Sequence, residues 1–246
     1  MNNLDGQAYV YKYIPLKYLL SMLKNKKLRI DKITTWEDPY ENFFLKEEFY
    51  TYVPFHKRDV PISTEEISKR IYGQSWTLKE ESDAMWRIYS NINQEIDDIA
   101  VKLKIKVDDL FNLVYTDNSC MATTSIGSVQ YKSKDEFDVS RNGLVKNASI
   151  TDFTNLIQSC LYIKRDSFSH EEEVRIIVSN DTDTEKLDYL EYNIPNQNVF
   201  TELVLDPRVT EEQEKNILKK LKRVGISKEI VRKSDLYVFT PLKVRI

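Results

Sequence analysis

The chain reads as an α+β protein. Three observations predict that class: apolar runs of period two and of period 3.6 both occur, they follow one another without βαβ regularity, and no Pro/Gly/Ser-rich linker interrupts the 246 residues. The expectation is therefore one domain over residues 1–246, with mixed or antiparallel sheets flanked by helices. With 41% apolar and 30% charged residues and a net charge of −3, the composition is that of a globular chain long enough to bury a sizeable core.

The elements follow from spacing. Tyr9 to Ile14 is rich in β-formers and predicts a strand. Pro15 opens a helix whose apolar face is Leu16, Leu19, Leu20 and Leu23; Asn25 ends it, and Lys27 to Thr34 alternates as a second strand. Trp36 to Glu41 obeys no period. Thr64, Ile67 and Ile71 mark a short capped helix, Gln74 to Leu78 a strand and Asp83 to Tyr89 a short helix. Ile96, Ile99, Ala100 and Leu103, then Val107, Leu110, Phe111 and Val114, recur at helical spacing and predict two helices.

Ser119 to Tyr131 reads as extended, with Gly127 as a turn or bulge, and the polar stretch 132–148 predicts a mobile loop. Thr151 or Asp152 caps a helix carrying Phe153, Leu156, Ile157 and Leu161. Strands are expected at Glu172 to Val178, Leu187 to Tyr192 and Phe200 to Leu205, with Asp206-Pro207 stopping the last. Thr210 caps a helix with acids in its first turns and Lys220, Lys222 and Arg223 at its end, an order that suits the helix dipole; Gly225 terminates it. Strands near Ile230 and Tyr237 complete the expectation.

Composition excludes several functions. The five glycines (Gly6, Gly73, Gly127, Gly143, Gly225) lie too far apart for a dinucleotide turn or a phosphate loop. Two cysteines (Cys120, Cys160) and two histidines (His56, His170) cannot build a Cys/His zinc module or a disulfide framework. The opening residues carry no secretory pattern and no run approaches membrane-spanning length, so a cytoplasmic protein with no membrane association is expected.

Four segments carry candidate chemistry. In Ser169-His170-Glu171-Glu172-Glu173-Val174-Arg175, alternation puts Glu171, Glu173 and Arg175 on one face. An inward carboxylate there needs a partner or a task, and a structural ion pair with Arg175 is the plainer alternative. Asp38-Pro39 is turn chemistry, packed by Trp36 and Tyr40 as a rigid corner or offering Asp38 or Glu41 to a cleft. Trp76, Trp86 and Tyr89 read as core or as a ligand platform. The first strand shows Tyr9, Tyr11 and Tyr13 on one face and Lys12 opposite.

Taken in order, these islands resemble a bacterial family catalogued as domain of unknown function 2971. They are Tyr11-Lys12-Tyr13, Leu16 to Leu28, Trp36 to Glu41, Trp86-Arg87-Ile88-Tyr89 and Val129-Gln130-Tyr131. Lys164 to Arg175, Glu202 to Pro207 and Lys233 to Tyr237 continue the likeness, which covers roughly residues 9–238. The opening strand, helix and following strand are also similar to ADP-ribosyltransferase-like domains, including nucleic-acid-modifying toxins of bacterial defence systems. That resemblance implies NAD as substrate and Glu173, within Glu171-x-Glu173, as the catalytic carboxylate. It implies Lys12 or Tyr13 on the nicotinamide-phosphate side and Ser75 or Thr77 on a middle strand; Trp76 or a tyrosine would stack on the nicotinamide, and without a glycine-rich loop any phosphates must be held by side chains such as Lys12 and Arg175.

Lys12 stands where the transferase pattern usually has Arg or His, and lysine lacks the planar fork of arginine. Three readings follow. The first is an NAD-dependent ADP-ribosyltransferase-like toxin or anti-phage effector, with a protein or nucleic-acid acceptor and a neutralising partner protein. The second is a non-catalytic binding or sensing module of the same fold. The third is a metal-dependent nuclease using Asp38, Glu41, Glu171 and Glu173.

Overall fold

The structure is a computed structural model that describes residues 4–117, 122–146, 153–180 and 187–242. In chain order it forms β1 (Tyr9–Pro15), α1 (Leu16–Asn25), β2 (Lys27–Lys32), β3 (Phe49–Val53), β4 (Arg58–Ile62) and α2 (Thr64–Ser68). Next come β5 (Ile71–Thr77), α3 (Asp83–Tyr89), β6 (Ala100–Lys106), α4 (Val107–Tyr115), β7 (Ala122–Ser128) and β8 (Gln130–Lys132). Then follow α5 (Lys134–Lys146), α6 (Phe153–Cys160), β9 (Ile163–Arg165), β10 (Glu173–Asn180) and β11 (Tyr189–Asn193). The last elements are β12 (Glu202–Leu205), α7 (Glu211–Arg223) and β13 (Val231–Lys233). The fold class is α+β, as the mixed periodicities require.

The chain divides into two compact units, each assembled from three separate stretches, so no linker marks the division in sequence. Unit 1 comprises Met1–Ala8, Leu28–Leu78 and Val107–Asn193. Its main sheet runs β11-β2-β5-β10-β7, and two small sheets, β3-β4 and β8-β9, accompany it. β10 is antiparallel to β5 on one side and to β7 on the other, with Glu173 opposite Thr77 and Arg175 opposite Ser75. Its core gathers Ile33, Phe43, Phe44, Ile71, Leu161 and Ile177, and the buried Cys160 thiol is pushed up to about 12 by desolvation.

Unit 2 comprises Tyr9–Lys27, Lys79–Lys106 and Ile194–Ile246. Its strands run β1-β6-β12-β13, antiparallel except for the parallel β12-β13 pair. α1 buries Leu16, Leu19 and Leu23, and α7 buries Ile217 and Leu221. Thr210 and Gln213 form a reciprocal capping box at the start of α7, and Gly225 follows the helix at φ +88°.

Three expectations are corrected. Residues 100–106 form β6, because Val101, Leu103 and Ile105 alternate with Lys102, Lys104 and Lys106; that period of two outweighs the helical spacing of Ile96, Ile99 and Leu103. The stretch expected as a mobile loop contains α5 instead. Ser133 and Glu136 cap α5 by the S-x-x-E pattern, and Phe137 anchors it among Tyr40 and Phe43. Residues 147–148 and the expected caps Thr151 and Asp152 lie outside the described residues. Tyr237 lies in a turn rather than a strand.

Gly73 on β5 faces Trp36: a Cβ built there would stand 2.6 Å from Trp36 Cζ2 and 2.9 Å from Ile177 Cδ1. Gly143, inside α5, has nothing within 4 Å of the same position. Gly73→Ala is therefore expected to lower stability by about 1–3 kcal/mol through overpacking. Gly143→Ala should raise it by about 0.5–1 kcal/mol through lower unfolded-state entropy. Denaturant titration of both variants against the parent checks the pair; equal midpoints would contradict the close approach at Gly73.

Candidate functional site

β10 is buried along almost its whole length, yet its first face carries Glu173 and Arg175. Arg175 is fully buried and Glu173 is 4% exposed. A guanidinium cannot escape burial by losing its proton, so compensation must come from fixed carboxylates and acceptors. Arg175 Nε donates to Glu173 Oε1 at 2.7 Å, and Nη2 donates to Glu173 Oε2 at 2.9 Å and to Glu41 Oε1 at 2.6 Å. Nη1 donates to the Leu161 carbonyl at 2.6 Å, and Trp36 covers the guanidinium with its ring centroid 4.5 Å away.

Lys164, on β9, is the second buried cation. Its ammonium meets Glu171 Oε2 at 2.7 Å, Glu41 Oε1 at 2.9 Å and Glu173 Oε2 at 3.1 Å. Desolvation opposes the charge on Lys164, but the three glutamates outweigh it and hold the proton more tightly than in free lysine. Burial likewise pulls the Glu173 carboxyl up, while Arg175, Lys164 and a hydrogen bond from the Ser75 side chain win and keep it below the ordinary carboxylate range.

The irregular Trp36-to-Glu41 segment exists to deliver partners to this cluster. The Tyr40 N–H donates to Asp38 Oδ1 at 2.9 Å and the Glu41 N–H to the Asp38 carbonyl at 3.0 Å, a tight turn that aims Glu41 inward. Asp38 also accepts from Arg165 Nη2 at 3.2 Å, and the Arg165 guanidinium lies over Tyr40 at 4.1 Å. Val129-x-Tyr131 brackets Glu173, Val129 from the link between β7 and β8 and Tyr131 from β8. The Val129 N–H donates to the Glu173 carbonyl at 2.8 Å, and the Tyr131 hydroxyl accepts the Glu173 N–H at 2.8 Å.

Glu171 does not belong to β10. It ends a 3-10 turn, Asp166–Glu171, and Glu172 follows in the left-handed region at φ 43°. That residue turns the chain so that Glu171 and Glu173 still converge on one ammonium, by a different route from simple strand alternation. Thr77 Oγ1 donates to the Glu171 carbonyl at 2.5 Å, and the Leu78 N–H donates to that of Glu172 at 2.9 Å, which ties the turn to the end of β5. The Glu171 side chain is 19% exposed, against 5% for Glu173.

The other expected residues fall as follows. Ser75 and Thr77 stand on β5 directly across from Arg175 and Glu173. Trp76 is buried, with its indole N–H donating to Gln74 Oε1 at 2.8 Å, so stacking on a nicotinamide does not fit this arrangement. Arg175 spends its donors inside the protein, so it cannot grip a phosphate as expected. Lys12 and Tyr13 lie on β1, in unit 2. Tyr13 is buried and edge-on to Trp86 at 4.7 Å, its hydroxyl accepting the Ser82 N–H; Lys12 is half-buried.

Sequence reasoning missed Lys164 and Tyr131 as members of the cluster. Their signal was present in the Lys-Arg pair ahead of Glu-x-Glu and in the Val-x-Tyr strand, but the chain gives no measure of what folds beside what. The metal reading through Asp38, Glu41, Glu171 and Glu173 does not fit. Lys164 and Arg175 fill the space between the glutamates, and no group of metal-ligand residues occurs among the described residues.

Removing one partner from such a cluster leaves a buried charge uncompensated. Glu173→Gln is therefore expected to cost about 3–5 kcal/mol. The Glu173 carboxyl titrates below its ordinary 4.5 in the folded chain. Its contribution is complete above that value and disappears as pH falls through the folded one. Thermal unfolding from about pH 7 to about pH 3 should show the parent losing stability in acid. Glu173→Gln should lose less over the same span, and identical acid profiles would contradict this assignment.

No curated protein matches the sequence. Among solved structures, DarT of Thermus sp. 2.9 in complex with NAD+ is similar, with a TM-score of 0.40 and 8% identity over 94% of this chain and 98% of that chain. Residues 85–176, which include β10 as far as Ile176 and the Lys164-to-Arg175 motif, match the family model described as protein of unknown function DUF2971.

Proposed function

We propose that the protein is an NAD-dependent ADP-ribosyltransferase-like enzyme in which Glu171 is the catalytic carboxylate. Glu173, Arg175 and Lys164 position it. A carboxylate that stabilises a ribose as nicotinamide departs must offer a lone pair to the ligand. Both oxygens of Glu173 are engaged by Arg175, and one also by Lys164. Glu171 uses Oε2 toward Lys164 and is the more exposed of the two. This contrast carries the reading.

In the proposed reaction the bond from the ribose to nicotinamide breaks, and its electron pair leaves with the nicotinamide ring. Positive charge develops on the ribose, facing the Glu171 carboxylate. An acceptor hydroxyl or amine, from protein or nucleic acid, then forms the new bond and releases its proton to water. Thr77 holds the Glu171 backbone, and Lys164 fixes the carboxylate rotamer. A toxin or anti-phage effector restrained by a neutralising partner is the cellular role that such an activity would serve.

One observation favours a second reading, binding without turnover: the carboxylate at the position of the transferase motif, Glu173, is saturated by protein cations. Nicotinamide release from NAD, followed by chromatography alongside calorimetric NAD binding, separates the two. The proposal expects release by the parent and a loss of about 100-fold or more in Glu171→Gln, assayed at a temperature where both remain folded. NAD binding with no release would establish the second reading, and an undiminished rate in Glu171→Gln would remove Glu171 from catalysis.

A further inference from the structure

The two units differ sharply in charge. Unit 2 carries 21 Lys and Arg against 13 Asp and Glu, a net of +8, whereas unit 1 carries 15 against 26, a net of −11; together they give the chain's −3. The modest overall charge therefore hides a strongly basic half. Within it, the C-terminal ends of α1 and α7 lie side by side. Gln197 clasps them, its amide donating to the Leu23 carbonyl at 3.0 Å and to the Val224 carbonyl at 3.2 Å.

Two cavities open at this seam and meet at Val224. One, of about 470 Å³, lies between the helices and is lined by Lys24, Lys220 and Arg223. The other, of about 630 Å³, continues past the helix ends and is lined by Lys26, Asn196 and Asn198. Neither cavity has an Asp or Glu in its lining. Lys220 is paired with Asp97 at 2.7 Å, but Lys24, Lys26 and Arg223 have no ion pair among the described residues. The helix dipole accounts for a cation or two in each last turn. It does not account for two adjoining cavities whose linings combine cations and amides and include no carboxylate.

We propose that this cleft binds single-stranded nucleic acid. Spaced cations meet successive phosphates, and the amides of Asn196 and Asn198 can hydrogen-bond base edges. Cavities of a few hundred Å³ are of small-ligand size, which admits an unpaired nucleotide and not a duplex. The cleft lies wholly within unit 2, so it stands independently of the transferase reading.

The test uses the full chain and fluorescein-labelled 20-mers of mixed-sequence RNA and DNA, read by fluorescence anisotropy across a salt series. The parent should bind single strands more tightly than the corresponding duplex. Lys24→Glu with Arg223→Glu should weaken binding by about tenfold or more and reduce the salt slope by about one per lost phosphate contact. Lys57→Glu with Arg58→Glu, the same charge change in unit 1, should leave binding unchanged. Equal weakening in both double variants, tighter duplex binding, or displacement by poly-L-glutamate at matched charge would overturn the proposal, as would no binding by the parent.

Discussion

The structure of unit 1 depends on burying Arg175. Its guanidinium keeps its charge at any accessible pH, and β10, flanked by β5 and β7, offers it no water. Everything around it follows from that constraint. Glu173 grips it in a fork, Glu41 is brought to it by the Asp38-Pro39 turn, and the Leu161 carbonyl takes the remaining direction. Trp36 lies over its face and requires Gly73 beneath. Replacing the whole set by apolar side chains could cost little, but no single member can be withdrawn. That explains why segments far apart in sequence read as separate islands yet serve one charge.

Unit 2 repeats the device on a smaller scale. Lys102 on β6 is fully buried, donates to the Glu80 carbonyl and lies 5.2 Å from the Tyr11 ring centroid. Burial lowers its proton affinity while Glu81 opposes that effect. Glu81 Oε1 in turn accepts from the Trp86 indole and from Ser234, each at 2.7 Å. The Trp86-to-Tyr89 and Lys233-to-Tyr237 islands are thereby explained by a polar network as well as by packing. Asp206, at the end of β12, pairs with Arg208, which donates to the Trp86 carbonyl at 2.9 Å.

Much of this was legible from sequence because it is local. Strand alternation correctly placed Glu173 and Arg175 on one face, and the charge order of α7 announced its cap and its end. What was not legible depends on long-range partners or on competing periods. Ile96, Ile99 and Leu103 imitate a helix, and only the alternation of Val101, Leu103 and Ile105 with lysines reveals β6. The polar composition of 132–148 hid a helix that its Ser133-x-x-Glu136 box had already signalled. Glu171 reached the expected cluster through a 3-10 turn and a left-handed Glu172, a backbone path that no side-chain pattern encodes.

The division of labour between the two glutamates follows from counting charge. Glu41, Glu171 and Glu173 face two cations, Lys164 and Arg175, so the cluster retains one formal negative charge in excess. Excess charge is least costly where water or a ligand can reach it. The gradient of exposure runs that way, from Arg175 and Glu173 in the interior to Glu171 at the end of the 3-10 turn. A fully compensated carboxylate contributes little field to a developing cation, because its own partners cancel it at short range. The surplus carboxylate is the one whose field remains available, and Lys164 fixes its direction. On electrostatic grounds the inner glutamate serves the fold, and the outer one is the carboxylate that our proposal assigns to chemistry.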